Sequence, residues 1–307
     1  MALYNANLAG SGSSVTIDDV VYEGDLKLKS LGNMSLFTSS LPFDLGEGSA
    51  TVYKNKIHIM GRKYSNTGSD SERRAHYSWD GSTWKYETNL PYGFYEAPIV
   101  TYDEAIHLLS TYGETSNMSK HYKYNDSTWT SVSTLPFSAC GSKAVVYKNK
   151  IHLFSPNYAG YANYHYSWNG STWTQETDVP YSMGSEGAAT VYNSEIHITA
   201  GNKVKYHYKY NGSTWTSVST TPNDGSNAVL IERNNKLYLG CHTGNWYEWD
   251  ETKAEWLEYF LSNETNAGCS RSSVVYNDMI HVLGGEGYYT AKPPYRHRLI
   301  EKVLKIK

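Results

Sequence analysis

Short runs in which apolar and polar residues alternate follow one another along most of the chain. Residues 50–53 and 56–60 are two such runs, and Lys54-Asn55 between them is a turn signal because Asn tolerates a left-handed backbone. A second pair of runs flanks Asp80-Gly81. Alternation with period two on both sides of such a pair predicts a β-hairpin, with the Asp or Asn in the left-handed region. The chain is therefore predicted to be all-β.

This unit of four strands repeats along the chain. An Ile-His pair marks its second strand in five copies, Leu237-Tyr238 takes the same place in another, and successive pairs lie 41 to 49 residues apart. In four copies a Tyr followed seven residues later by a Trp marks the second hairpin. The pairs are Ile57-His58, Ile106-His107, Ile151-His152, Ile196-His197 and Ile280-His281, and the Tyr and Trp are Tyr77/Trp84, Tyr122/Trp129, Tyr166/Trp173 and Tyr208/Trp215. Six copies of four short antiparallel strands predict a six-bladed β-propeller.

The two ends of the chain complement each other. The last copy has its first two strands within 272–283 and a basic strand near 296–302, but it lacks the Tyr-to-Trp hairpin. Residues 35–42 match the outer strand and the Leu-Pro ending of other copies without a third strand before them. We therefore predict that the N-terminal segment supplies the outer strand of the last blade and closes the ring. The predicted domains are an anchoring or docking extension, residues 1–32, and the propeller, residues 33–307.

Charge and composition narrow the range of partners. The chain of 307 residues has 27 Lys and Arg against 30 Asp and Glu, a formal net charge of −3. This balance excludes a general electrostatic attraction to nucleic acid or to an anionic membrane. No apolar run is long enough to span a bilayer, and no secretory signal is recognisable. We therefore expect no nucleic-acid partner and no membrane insertion.

Histidine is the residue type that most suggests a metal or catalytic centre. Ten of the eleven His recur at repeat positions, so we interpret them as hydrogen-bonding groups within and between blades and predict no metal and no cofactor. Glycoside hydrolysis would need a carboxylate pair or an arginine cluster in a common funnel. Glu47, Glu96, Glu186 and Asp224 lie in connections where ordinary polar caps also occur, and the seven Arg do not recur at equivalent positions. We predict that the protein is not an enzyme, with glycosidase kept as an alternative.

Variation between copies is concentrated in one class of connection. The first hairpin keeps a constant Tyr-to-His span of five residues, whereas the span from second to third strand ranges from 8 to 18. In an antiparallel blade the second-to-third and fourth-to-first connections emerge on the same face, so one face should carry uniform turns and the other diverse loops. Tyr, which is far commoner here than Phe (29 against 6), suits saccharide stacking or a wet protein interface. The predicted ligand- or partner-binding residues are Tyr64, Tyr92, Tyr95, Tyr112, Tyr158, Tyr161, Tyr181, Tyr288 and Tyr289.

The unit resembles the kelch repeat, in which a double Gly follows the second strand and six residues separate a Tyr from a Trp. The Tyr and Trp spacing holds in four copies, whereas the double Gly is kept only at Gly284-Gly285. The resemblance covers residues 33–307 and implies the propeller architecture. It does not imply an activity, because propellers host many unrelated functions.

The particular repeat sequence, Tyr-Lys-Asn-Lys-Ile-His with Tyr-Asn-Gly-Ser-Thr-Trp-Thr and Leu-Pro-Tyr, resembles kelch-like proteins encoded among tail genes of phages and prophages of Gram-positive bacteria. This resemblance implies a tail or baseplate structural protein of a virion or tailocin, assembled in the host cytoplasm and carried on the extracellular particle. The expected partners are other virion or tail proteins, bound through the N-terminal segment, and host cell-wall glycan. The alternatives are a bacterial carbohydrate-binding or adhesin propeller and a glycosidase.

Overall fold

The structure, a computed structural model, describes a protein built of β-strands. It describes residues 41–42, 45, 48–61, 74–94, 96–110, 119–155, 163–184, 186–199, 201, 204–222, 228–241, 245–260 and 272–283, and the backbone of strands at 15–17, 20–22, 28–36 and 297–306. Within these ranges no helix is long and apolar enough to cross a membrane.

Five blades are each formed by four consecutive antiparallel strands in chain order. The first blade is β4 (Ser49–Tyr53), β5 (Lys56–Gly61), β6 (Ala75–Trp79) and β7 (Trp84–Asn89), and the second is β8 (Ile99–Tyr102), β9 (Ala105–Leu109), β10 (Lys120–Tyr124) and β11 (Trp129–Thr134). The third is β12 (Lys143–Tyr147), β13 (Lys150–Phe154), β14 (His165–Trp168) and β15 (Trp173–Gln175), and the fourth is β16 (Ala188–Tyr192), β17 (Glu195–Thr199), β18 (His207–Tyr210) and β19 (Trp215–Ser219). The fifth is β20 (Val229–Arg233), β21 (Lys236–Gly240), β22 (Trp246–Asp250) and β23 (Glu255–Phe260).

A further four-stranded sheet, here called the terminal sheet, combines the two ends of the chain. Its order is β24 (Ser273–Tyr276), β25 (Met279–Leu283), β26 (His297–Ile306) and β3 (Leu28–Leu36). The outer strand β3 begins earlier than the predicted segment at 35–42, and the predicted domain boundary between residues 32 and 33 falls inside it. Upstream of β3, β1 (Val15–Ile17) and β2 (Val20–Tyr22) form a separate two-stranded sheet.

The first strands of the blades surround a central axis. Each contacts the first strand of the following blade, β20 contacts β24, and β24 contacts β4. Apolar clusters fill the spaces between neighbouring sheets, and one of them joins Val274 and Leu283 of the terminal sheet to Ile57 and Trp79 of the first blade. The predicted all-β propeller is therefore confirmed.

Tyrosine at the end of the first strand ties three of the blades and the terminal sheet to the next sheet around the axis. The hydroxyl of Tyr147 donates a hydrogen bond of 2.9 Å to the carbonyl oxygen of Ser194 in the first hairpin of the following blade. Tyr53, Tyr102 and Tyr276 make the equivalent bond to Glu104, Asn149 and Asn55. Phe could fill the same space but could not donate this bond, which explains part of the preference for Tyr in this chain.

The two hairpins of a blade use different turn chemistry. In the first hairpin both turn residues have positive φ, as at Lys54 (46°) and Asn55 (55°), so the predicted left-handed Asn is confirmed there. In the second hairpin the prediction was wrong, because Gly81 carries the positive φ (105°) and Asp80 does not. Asp80 Oδ1 instead accepts hydrogen bonds of 2.9 Å from the backbone N–H groups of Ser82 and Thr83. These bonds stabilise the anion and hold the pKa of Asp80 well below its usual range.

The ribbon formed by β3 and β26 extends past the body of the terminal sheet. Strand β26 pairs with β25 only from His297 to Ile300, whereas its pairing with β3 continues to Ile306, opposite Leu28. In the other blades the third strand turns back at this level through the second hairpin. The ribbon therefore leaves the propeller on the face that carries the uniform turns, and at about 3.4 Å per residue its six further pairs span roughly 20 Å.

Candidate functional site

The face opposite the ribbon carries the variable connections and the mouth of a central channel. The channel cavity has a volume of about 170 Å³ and is lined by the beginnings of the first strands of all five blades and of the terminal sheet. Most lining residues are Gly, Ala or Ser, which leave the axis open. A cavity of this size accommodates a small polar molecule or the tip of a larger ligand.

Two charged residues of opposite sign are among those that line this cavity. Glu96 stands in the connection before β8, and Lys143 begins β12. Glu96 has a φ of 46°, a conformation that is rare for a residue with a Cβ and that is found at functional sites more often than elsewhere. Its backbone oxygen accepts a hydrogen bond of 2.9 Å from the N–H of Gly141, so the next blade holds it in this conformation.

Hydrogen bonds between neighbouring blades make the channel mouth rigid. Ser49 Oγ donates to the carbonyl oxygen of Ala97 (2.8 Å), and Ser272 Oγ donates to that of Gly48 (2.6 Å). At Gly187 a Cβ would lie 2.6 Å from the carbonyl oxygens of Met183 and Thr199, so only glycine fits. A ligand would therefore meet a preformed opening rather than one assembled on binding.

The predicted binding tyrosines fall into two groups. Tyr92 and Tyr181 lie on the variable face and are 38% and 49% exposed, as a contact residue should be. They stand in fourth-to-first connections, each directly after a Pro. The other predicted residues, Tyr64, Tyr95, Tyr112, Tyr158, Tyr161, Tyr288 and Tyr289, lie outside the described residues.

Tyr181 belongs to a group of three tyrosines, two of which the sequence reasoning missed. Its ring stacks on that of Tyr206 with 4.4 Å between centroids and an angle of 25° between planes, and Tyr208 lies 5.8 Å away. We call Tyr181, Tyr206 and Tyr208 the tyrosine platform. Tyr206 and Tyr208 flank the buried His207 at the start of β18, and their repeat positions could have indicated a shared surface with the connection before β16.

The repeated histidines form buried pairs within blades. In the second blade, His121 Nε2 lies 2.7 Å from His107 Nδ1, and Ser133 Oγ lies 3.1 Å from His121 Nδ1. His107 also forms a hydrogen bond with the backbone of Tyr102, in which the imidazole ring is the donor. The other ring nitrogen of the neutral His107, Nδ1, is therefore an acceptor. It follows that His121 Nε2 donates to His107 Nδ1 and that Ser133 Oγ donates to His121 Nδ1. The same Nδ1–Nε2 contact joins His58 to His76, His152 to His165 and His197 to His207.

These pairs pack against aromatic rings of the following blade. His121 makes an edge contact with Trp168, 5.3 Å between centroids, and lies 5.8 Å from Trp173. Burial lowers the pKa of His107 to about 4 and that of His121 to about 3, so both rings are neutral near pH 7. Their neutrality, burial and interblade packing describe a structural network, in line with the interpretation from the repeat.

The described part of the chain has few of the residues that metal binding or glycoside hydrolysis would need. It contains no group of three or more His, Cys, Asp or Glu arranged to hold a metal ion. Glu96 is the carboxylate among the described residues that line the channel, and Glu186 is half-buried in a neighbouring connection. Glu47 and Asp224, the other carboxylates singled out from the sequence, lie outside the described residues.

Comparison with known proteins supports the fold. No family model and no curated protein matches the chain. Among solved structures 558 chains are similar; one, described as the structure of YjhT, is 13% identical with a TM-score of 0.66, over 87% of this chain and 99% of that chain. At this identity the likeness shows the propeller fold alone. A fold shared by so many chains does not select a function.

Proposed function

We propose that this protein is a kelch-like structural protein of a phage-type particle, tail- or baseplate-associated, that presents a propeller for binding the host surface or another particle protein. The observation that carries the proposal is the opposition of the two faces. The ribbon of β3 and β26 leaves from the face with uniform turns, whereas the channel mouth, Tyr92 and Tyr181 lie on the other. A protein anchored through its N-terminal segment would thus direct its variable face away from the anchor.

We further propose that the pairing of β3 with β26 closes a six-bladed ring. Nine residue pairs join the two strands, and β24 contacts β4 of the first blade. Pairing the outer edge with a strand from the other end of the chain removes an open seam, as closed sheets require. A rigid ring of this kind suits a protein that bears load between a particle and a surface.

Binding rather than catalysis is the function that the described residues support best. The described channel lining offers a single carboxylate, Glu96, and a single ammonium, Lys143. A glycosidase would place two carboxylates across a sugar ring at a defined separation. The exposed tyrosines and the preformed mouth instead match the aromatic, polar character of recognition surfaces.

The experiment that tests the proposal measures adhesion of the purified protein to intact Gram-positive cells while one face at a time is blocked. Pro136 is exposed on the variable face and Ser171 is exposed in a second-hairpin turn on the uniform face. Each is replaced separately, Pro136→Cys and Ser171→Cys, and coupled to a bulky maleimide–polyethylene glycol. The wild-type protein, treated with the same reagent, controls for the native cysteines.

We expect saturable adhesion of the wild-type protein and of the Ser171→Cys conjugate, and its loss in the Pro136→Cys conjugate. Equal adhesion of both conjugates would contradict the assignment of the faces. If the protein does not adhere to cells but is found in purified particles, the propeller binds particle proteins and not the host. Absence from particles would refute the particle assignment and favour a bacterial adhesin.

A further inference from the structure

The tyrosine platform occupies three positions that recur in neighbouring blades, and the residues at those positions differ with exposure. In the third blade they hold Phe137, Tyr164 and Tyr166, with Phe137 only 3% exposed and part of an apolar cluster. In the fourth blade the residue equivalent to Phe137 is Tyr181, which is 49% exposed. The buried position holds Phe and the exposed position holds Tyr. This difference indicates that Tyr181 is not needed to fill the core.

The rings of the platform form a layered surface. Tyr181 and Tyr206 are nearly parallel at 4.4 Å, and Tyr208 meets Tyr206 edge-on at 6.0 Å and 65°. In the second blade the corresponding residues are Tyr92, Lys120 and Tyr122, and the two rings lie 6.1 Å apart at 49°. The fourth blade thus combines an exposed ring with a second ring that supports it from behind, which fixes its orientation.

The Tyr208 hydroxyl is the most constrained of the three in the platform. Tyr208 is hydrogen-bonded to Ser217, and burial raises its pKa, with further contributions from Tyr181 and Tyr206. Among the hydrogen bonds between described residues, none involves the hydroxyl of Tyr181 or Tyr206. Tyr181 is 49% exposed, so its ring and hydroxyl are accessible to a ligand that can hydrogen-bond.

The described lysines near the platform each have a hydrogen-bond or ion-pair partner. Lys209 forms an ion pair of 2.8 Å with Glu195, and Lys205 Nζ donates to the carbonyl oxygen of Pro222 at 3.2 Å. Because both of these ammonium groups already have partners, the described charges near the platform give no particular preference for an anionic ligand. The ligand that fits is polar and uncharged.

The surrounding surface favours a saccharide over a protein. The large hydrophobic side chains exposed in the described part of the chain are Tyr86, Tyr92, Tyr181 and Val146, so the platform has no aliphatic surround of the kind that forms the core of a protein interface. A sugar ring needs less: one flat face of C–H groups packs on the negative face of an aromatic ring, and its hydroxyls bond at the rim. From this arrangement we infer that the tyrosine platform is a subsite for a neutral saccharide, an inference that rests on the proposed binding function and names its ligand class.

The test measures binding of the full-length protein to cellohexaose, chitohexaose and maltohexaose by isothermal titration calorimetry. The double variant Tyr181→Ala/Tyr206→Ala removes the stack, and Tyr181→Phe keeps the ring without its hydroxyl. Tyr86→Ala is the matched control, because Tyr86 is 48% exposed on the first blade, away from the platform. Melting temperatures of all variants establish that each remains folded.

We expect at least one of the three oligosaccharides to bind, with a loss of about tenfold or more in the double variant. Tyr86→Ala should leave the affinity unchanged, and Tyr181→Phe should stay within about threefold of the wild type, since most of the contact is with the ring face. Absence of binding to all three, or equal affinity of a folded double variant, would overturn the inference.

The same variants separate this inference from the proposed function. If the folded double variant still adheres to cells through the variable face, the subsite assignment fails and the proposed function stands. If oligosaccharides bind through the platform but the protein neither adheres to cells nor occurs in particles, the subsite stands and the proposed function fails.

Discussion

At the scale of single residues, the repeat serves interblade contact more than chemistry. Tyr147 donates to the next blade through its hydroxyl, and the His121 pair contacts the Trp rings of the next blade through its edge. Each side chain therefore combines an apolar body with one directed hydrogen bond. This combination fixes the position of neighbouring blades more tightly than apolar packing alone would.

The prediction at this scale is that Tyr147→Phe destabilises the protein by about 1 kcal/mol, because it removes the bond to Ser194 while keeping the ring. Urea denaturation followed by tryptophan fluorescence measures the change. Tyr86→Phe, at an exposed tyrosine of the outer strand β7, should change stability by only a few tenths of a kcal/mol. An equal effect of the two substitutions would contradict the interblade role.

At the scale of elements, the ends of the chain behave differently from the repeats. The strands of the five blades have three to six residues, whereas β3 has nine and β26 has ten. The hairpins of a blade are local and form between neighbouring segments, but β3 must find a partner more than 250 residues away along the chain. Such a pairing forms late in folding, because the entropy of closing so long a loop must be overcome first.

Removal of residues 1–36 should therefore expose the edge of β26 and cause loss of monomer. We expect a lower melting temperature and aggregation, measured by calorimetry and light scattering, because an unpaired edge strand templates pairing with other chains. Removal of residues 1–14 alone should leave both properties unchanged. A soluble monomer with an unchanged melting temperature after the longer deletion would refute closure by β3.

At the scale of the whole molecule, the buried histidines couple stability to pH. Burial lowers the pKa of His58, His107, His152, His197 and His281 to about 4 and that of His121, His165 and His207 to about 3, and holds the pKa of His76 well below its ordinary value. The unfolded chain takes up these protons near pH 6.5, whereas the folded chain does not until about pH 4 or below. Stability is therefore complete above pH 6.5 and falls as the pH falls through this window.

Acidification should begin to destabilise the protein before most of its carboxylates titrate. Between pH 6.5 and 5 a single buried His that stays neutral in the folded chain lowers the free energy of unfolding by up to about 2 kcal/mol, so several of them together lower it by a large part of the typical stability of a folded domain, about 5–15 kcal/mol. Circular dichroism during acid titration should show a cooperative transition near pH 5. A urea midpoint that is the same at pH 7 and pH 5 would contradict this account of the pairs.

The sequence alone predicted the features that repeat or depend on neighbouring residues. The alternation and turn pairs predicted the strands and hairpins, and the Ile-His period predicted the propeller. The prediction of a left-handed residue was correct at Lys54-Asn55, where both turn residues have positive φ. It was wrong at Asp80, because Gly81 has the positive φ there and the aspartate accepts hydrogen bonds from the N–H groups of the turn. It also selected Tyr92 and Tyr181, which are exposed in the structure, and their role in binding stays a prediction.

Only the tertiary structure decided which distant residues meet. Tyr181 and Tyr206 belong to different segments and are brought to 4.4 Å by the passage of one connection over the next blade, so the contact follows from the packing of the blade and not from neighbouring residues alone. The exit of the β3–β26 ribbon on the uniform face likewise depends on a register between the two ends of the chain. Local sequence determines backbone conformation through sterics and hydrogen bonds over a few residues, whereas a surface such as the tyrosine platform is set by the packing of whole blades against one another.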